Sequence, residues 1–225
     1  MAGVFVTGTG TDVGKTFVTA ALVRHLRSAG KPVDAFKPVV SGFDPANIAS
    51  SDPGVLLSAL GRGVISDELD RIAPWRFAAP LSPDLAAKAE RRSMDFSALV
   101  EFSRRVAYGR GTTLVEGIGG IMVPLDQTHT VLDWMSALRI PVLLVAGSYL
   151  GTISHTLTAL HVLAQRNLDI AGVVVSESTA PGASRDDTVA TIGRFAAPID
   201  VFGVPRLPDG TPPPPDVLSR IERLL

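Results

Sequence analysis

Several side chains near the start of the chain have the types and spacing needed to handle a nucleoside triphosphate. Val4–Leu26 reads VFVTGTGTDVGKTFVTAALVRHL and contains Gly14-Lys15-Thr16, the ending of a phosphate-binding loop. Gly14 lets backbone approach a phosphate closely, Lys15 reaches the β- and γ-phosphates, and the Thr16 hydroxyl can ligate Mg²⁺. The spacing is unusual. Gly8 stands one residue further from Gly14 than G-x-x-x-x-G-K-[ST] allows, with Thr9 where glycine is expected. Gly8, Gly10 and Gly14 also spell a dinucleotide-like pattern, but that fold wants an acid about 20 residues on, at the end of the second strand, for a ribose hydroxyl. Lys37 stands there instead, so a triphosphate loop is the better reading.

Three further groups could complete a site. Glu116 ends an apolar run and is followed by Gly117-Ile118-Gly119-Gly120, where backbone can approach a ligand. A carboxylate there can hold Mg²⁺ beside Thr16. Asp52 follows the polar, turn-rich stretch Ser41–Ser51 and has two readings, a second magnesium ligand or the N-cap of a helix whose first residue is Pro53. Lys37 lies within an otherwise apolar strand at its carboxyl end, where its charge would face a γ-phosphate or an acidic substrate. Of the four histidines only His155 falls near a site edge, and no Ser-His-Asp or His-rich metal spacing is present.

These groups need a scaffold, and the hydrophobic pattern supplies one. Short apolar runs at Val4–Thr7, Val33–Val40, Thr112–Glu116, Pro141–Ala146, Ile170–Ser176 and Asp200–Val204 read as strands. Helical periodicity separates them over Gly14–Ser28, Phe96–Tyr108, Val131–Leu138, Thr152–Arg166 and Arg185–Phe195. Continuous Val/Leu/Ile strands alternating with helices predict an α/β fold, a mostly parallel sheet with helices on both faces. Asp209–Asp216 (DGTPPPPD) reads as a proline-rich connector before a terminal amphipathic helix. Ser41–Ser51 reads as a mobile loop over the site.

Composition narrows the function classes. The 225 residues suit one large α/β domain, 1–225, better than two small ones. Basic and acidic residues balance at 21 and 22, which leaves no polyanion footprint and argues against nucleic acid. There is no cysteine, so disulfides, thiolate metal sites and cysteine nucleophiles are excluded. The longest apolar run, Ile140–Gly147, is far too short to span a bilayer, and no basic leader precedes the first strand. The expectation is a cytoplasmic protein with no membrane partner.

At this level of detail the chain resembles the dethiobiotin synthetase family. The resemblance rests on the long loop VTGTGTDVGKT, on Lys37–Gly42 (KPVVSG), Ser51-Asp52, Phe77–Pro83 (FAAPLSP), Leu114–Gly120 (LVEGIGG), Val123–Leu125, Leu150–Thr156 (LGTISHT) and Gly203–Leu207 (GVPRL). The extra loop residue is that family's own form. The resemblance implies a P-loop NTPase-like fold, with a sheet of about seven strands. It implies ATP as co-substrate, Mg²⁺ as cofactor, and diaminopelargonic acid and CO₂ as substrates. Asp12, Val13, Gly14, Lys15, Thr16 and Phe17 would wrap the phosphates. Thr16, Asp52 and Glu116 would surround Mg²⁺. Lys37 and Lys15 would be catalytic, while Thr11, Lys37, Ser41 and Gly119 would meet the diamine.

Glu116, Gly117, Ile118 and Gly119 would line the site from the sheet side. Ser176 and Glu177, with the backbone of Pro205, Arg206 and Leu207, would meet the adenine. Leu150, Gly151 and Ser154 would cross a homodimer interface to hold the substrate's carboxylate tail. Two positions depart from the family's pattern, which often has Asn where Ser154 and Ser176 stand. The alternative is a partner-regulated switch ATPase of the partitioning or septum-placing class. Those carry a second lysine at the start of the loop, where this chain has Gly10.

Overall fold

The computed structural model describes residues 3–180, 182–207 and 211–225. The first two residues of the proline-rich connector, Asp209 and Gly210, lie outside the described residues. Eight strands are present among the described residues: β1 Val4–Gly8, β2 Val33–Phe36, β3 Val39–Val40, β4 Trp75–Arg76, β5 Thr112–Glu116, β6 Val142–Ala146, β7 Ile170–Ser176 and β8 Val201–Val204. The helices are α1 Lys15–Ser28, α2 Asp52–Ala59, α3 Ser66–Ile72, α4 Pro83–Ala89, α5 Phe96–Ala107, α6 Val131–Leu138, α7 Thr152–Gln165, α8 Arg185–Ala196 and α9 Pro215–Glu222.

Six strands form the main sheet in the order β2-β5-β1-β6-β7-β8, and every pairing is parallel. Its size is close to the about seven expected for this class of sheet. The difference lies in Val33–Val40, expected as one strand. Pro38 has no N–H to give a ladder, so the run breaks there. Val39–Val40 leaves the main sheet and pairs instead with Trp75–Arg76. That small pair continues as a clamp on the next loop, because Phe43 N donates to Phe77 O at 2.9 Å and Gly42 N to Ala79 O at 3.0 Å.

Period-two alternation sorts the central strand onto two cores. Val4 and Val6 face α1, α2 and α9, with Leu22, Leu57 and Ile221 among their buried neighbours. Phe5 faces the other side, against α5, α6 and α7. All five residues of β1 and of β6 are buried, which is why neither strand alternates in polarity. The chain leaves β1 toward the α1 face and leaves β5 toward the α6 face. Adjacent loops at the carboxyl ends of the strands therefore part company and leave a crevice, the place where open α/β sheets bind ligands.

The second core has a polar pin. Phe5 meets Trp134 edge-on, ring centroids 4.7 Å apart, and the indole Nε1 donates to the buried Ser103 Oγ at 3.0 Å. Replacing Phe5 by Ala is expected to cost about 3–5 kcal/mol of stability, as for other large-to-small core changes. Urea unfolding checks this, and a loss below about 1 kcal/mol would contradict the packing described.

Candidate functional site

The loop after β1 enters α1 through Gly14, whose φ of 93° belongs to the left-handed region. A methyl group there would come 2.5 Å from Ser176 Oγ, so both backbone angle and space require glycine. With Gly14 as N-cap, no side chain caps α1 and no acidic residue sits in its first turn. The free N–H groups and the helix dipole are thus left for an anion. Lys15 Nζ folds back to donate to Gly10 O at 2.8 Å. Burial, and then the nearby charge of Lys37, lower its pKa to about 8.

Below the loop lies a cluster of buried charge. Lys37 is 2% exposed and Glu116 is fully buried. Lys37 Nζ donates to Glu116 Oε1 at 2.7 Å and to Gly117 O at 2.9 Å, and it pairs with Asp52 Oδ2 at 2.9 Å. Thr16 Oγ1 donates to the same Glu116 oxygen at 2.6 Å. Burial opposes the ammonium, but Glu116 and Asp52 together outweigh it and hold the Lys37 pKa above its ordinary value. Burial likewise opposes the Asp52 carboxylate, and Lys37 overcomes it, so its pKa lies below the usual range. Lys37 is therefore a fixed cation rather than a proton carrier. The other Glu116 oxygen, Oε2, is buried with no hydrogen-bond partner.

Each member comes from a different element. Lys37 follows β2, Glu116 ends β5, Thr16 opens α1, and Asp52 is the first residue of α2. Asp52 is not the cap of that helix. Ser51 is, its Oγ accepting from Gly54 N at 3.3 Å, and this leaves the Asp52 carboxylate free to reach Lys37.

Two clefts flank the loop. The larger, about 760 Å³, brings together Thr11, Asp12, Gly14, Lys15, Thr16, Phe17, Lys37, Ser41, Asp52, Ile118 and Gly119, all expected from the sequence. Sequence reasoning assigned no role to its other wall, Pro80–Pro83 with Val40 and Val123. The smaller cleft, about 470 Å³, lies on the opposite side of the loop and collects Asp12, Val13, Gly14, Phe17, Ser176, Glu177, Arg206 and Leu207. Pro205 adjoins it in the chain. Glu177 Oε2 accepts from Arg206 N at 2.9 Å, fastening the segment after β8 to the end of β7. Tyr149 and Ser178–Ala180 also line this cleft and were missed. Tyr149 directly precedes the LGTISH stretch, and its aromatic type among small residues was the available signal. Leu150, Gly151 and Ser154 line neither cleft, and Leu150 is 88% exposed.

Fold and loop together define an ATP-handling α/β protein of the P-loop NTPase class. Residues 2–213 match a family model described as an AAA domain. The cell division protein MinD from Aquifex aeolicus superposes with a TM-score of 0.57 over 99% of this chain and 95% of its own, at 14% identity. An ATP complex of McdA from Cyanothece gives 0.52 over 91% and 83%, at 13%. At such identities the likeness is one of fold. Sequence relatives are far nearer. The ATP-dependent dethiobiotin synthetase BioD of Acidiphilium cryptum is 52% identical over 78% of this chain and 80% of its own. Those of Phenylobacterium zucineum and Caulobacter sp. are 48% and 50% identical, each over 92% of this chain and 89% of theirs. The chain belongs to the dethiobiotin synthetase family.

Replacing Lys15 by Gln keeps the loop's size and removes its charge. Turnover is expected to fall about 10²–10³-fold, the usual loss when one stabiliser of developing charge is deleted. Steady-state rates within about twofold of the unmodified protein would show that this loop is not the catalytic phosphate site.

Proposed function

We propose that this protein converts diaminopelargonic acid, CO₂ and ATP to dethiobiotin, ADP and phosphate, the ring-closing ligase step of biotin biosynthesis. The observation that carries the reading is the buried Lys37 ammonium, held between Glu116 and Asp52 beside the phosphate loop at the floor of the larger cleft.

The reaction needs no covalent nucleophile from the protein. A neutral substrate amine attacks CO₂ and loses a proton, giving a carbamate. A carbamate oxygen attacks the γ-phosphorus and ADP leaves. The neighbouring amine then attacks the carbonyl carbon of the carbamic–phosphoric anhydride, the C–O bond to phosphate breaks, and the amine's proton passes to the departing phosphate as the cyclic urea closes. The carbamate, the anhydride and the departing phosphate are anionic, so fixed cations do most of the catalysis. Lys15 meets the triphosphate and Lys37 the γ-phosphoryl group and carbamate. The pair also lowers the pKa of an amine held nearby, which raises its neutral fraction. Thr11, Ser41 and Gly119 position the diamine, and the apolar wall at Pro80–Pro83 accepts its methylenes.

A Mg²⁺ ion, when bound, neutralises charge on the β- and γ-phosphate oxygens. Thr16, Asp52 and Glu116 would hold it, and the unpartnered buried Oε2 of Glu116 fits a hard cation that takes few protein ligands and keeps water and phosphate oxygens. The residues 1–225 act as one catalytic domain in the cytoplasm. No described helix is long and apolar enough to cross a membrane. The switch-ATPase alternative draws on fold likeness alone, and Gly10 stands in place of the second lysine it needs.

The deciding assay is ATP-dependent fixation of labelled bicarbonate with the diamine as acceptor. Label is expected in an acid-stable cyclic product that forms in step with ADP. ATP hydrolysis independent of the diamine would favour a switch ATPase instead. Lys37→Met is expected to lower turnover about 10²–10³-fold while nucleotide still binds. Normal turnover, or a simple loss of nucleotide binding, would overturn the assignment of Lys37. The exposed Leu150, with Gly151 and Ser154 outside the clefts of their own chain, supports a homodimer in which this segment serves the neighbour's site. Sedimentation is expected to give a dimer at micromolar concentration, and an active monomer near 23.6 kDa would contradict it.

A further inference from the structure

The smaller cleft contains an aromatic side chain, Tyr149, to which the proposed reaction gives no task. Tyr149 follows β6 by three residues and lines the cleft together with Phe17. Its ring folds back over Gly147, where a methyl group would come 2.8 Å from the ring carbon Cδ1. Its hydroxyl is hydrogen-bonded to His155 Nδ1 at 2.9 Å, and the two rings lie 5.7 Å apart. The backbone carrying it is fastened from both sides. Ser148 N donates to Ser178 Oγ and Ser178 N to Ser148 Oγ, each at 3.0 Å, and Gly182 N donates to Ser148 O at 2.8 Å. Tyr149 is therefore a braced aromatic surface at the edge of a cleft, whereas a tyrosine free in solvent would have no such fixtures.

Two of the cleft's polar side chains already have partners. The Glu177 carboxylate takes the Arg206 N–H, and the Ser178 hydroxyl takes the Ser148 N–H. Ser176 Oγ lies against Gly14. Among the described residues no Asn or Gln lines the cleft, so no side-chain amide is there to pair bidentately with a donor and an acceptor on a base edge. If the triphosphate points into the larger cleft, where the lysines are, the nucleoside must leave the loop on this side. This step rests on the function proposed above. We propose that Tyr149, braced by His155, holds the nucleobase by stacking, and that the site therefore tolerates different bases.

Calorimetry on the full chain with Mg²⁺ separates stacking from loop geometry, using ATP and inorganic tripolyphosphate, which has no base. Tyr149→Leu keeps bulk and removes the aromatic face, and it is expected to weaken ATP about tenfold, within the range of a lost base–aromatic stack, while leaving tripolyphosphate unchanged. Tyr149→Phe keeps the face and is expected to stay within about threefold of the unmodified protein for ATP. ATP, GTP and CTP are expected to differ by less than about tenfold in kcat/KM. An unchanged ATP affinity in Tyr149→Leu overturns the proposal. So does an equal loss for tripolyphosphate, which would make Tyr149 a loop-shaping residue, and so does an ATP preference above about a hundredfold, beyond what face contact supplies. An unmodified protein that binds neither ligand would refute the proposed function itself, and the stacking role with it.

Discussion

A lysine ammonium that is almost completely buried must be paired, because an isolated charge in the interior costs several kcal/mol or more. That requirement organises this molecule. Lys37 sits where β2 gives way to Pro38, and its partners arrive from the end of β5 and the start of α2. Three elements must therefore converge on one nitrogen before the cluster is worth its desolvation. Thr16 joins through the same Glu116 oxygen, which ties the phosphate loop to the cluster. The sheet order serves this convergence, since β5 lies directly between β2 and β1.

The arrangement separates two tasks across one loop. Gly14, Asp12 and Phe17 border both clefts, so a nucleotide seated on the loop would have access to each. Charge is concentrated on one side, with Lys15, Lys37, Asp52 and Glu116. The other adds Tyr149, Ser176, Ser178, Thr179 and Ala180 to the charged Glu177 and Arg206. Cations prepared in advance need no reorganisation as negative charge develops, and the proposed reaction asks for no covalent nucleophile from the protein.

Much of this was legible in the sequence, for reasons that differ by element. The strands β1, β5, β6 and β7 are largely buried on both faces and announce themselves as apolar runs, while β8, at the sheet edge, alternates half-buried and buried residues. The phosphate loop is local, so its chemistry can be read from consecutive residues. The break at Pro38 was readable in principle, but the apolar residues on either side concealed it. The helices α3 and α4 are seven residues each, too short for periodicity to mark them. The Lys37–Glu116 pair joins residues 79 apart, and no local pattern reports such a contact. The cap reading of Asp52 came within one residue: Ser51 takes the cap because its hydroxyl meets Gly54 N, and the carboxylate is released to the site. Tyr149 went unread because its partner, His155, lies on α7 and the cleft forms only once β6 and β7 are adjacent.

The central claim is that this charge cluster drives phosphoryl transfer from ATP to a carbamate. Atom balance makes the claim directly measurable, because the carbamate oxygen that attacks phosphorus departs with the phosphate when the ring closes. With ¹⁸O-labelled CO₂ in ordinary water and the diamine present, the released phosphate is expected to carry one ¹⁸O atom per molecule by mass spectrometry. Phosphate free of label, formed in step with product, would mean that water or another nucleophile receives the γ-phosphoryl group, and the account of Lys37 and its partners would be wrong.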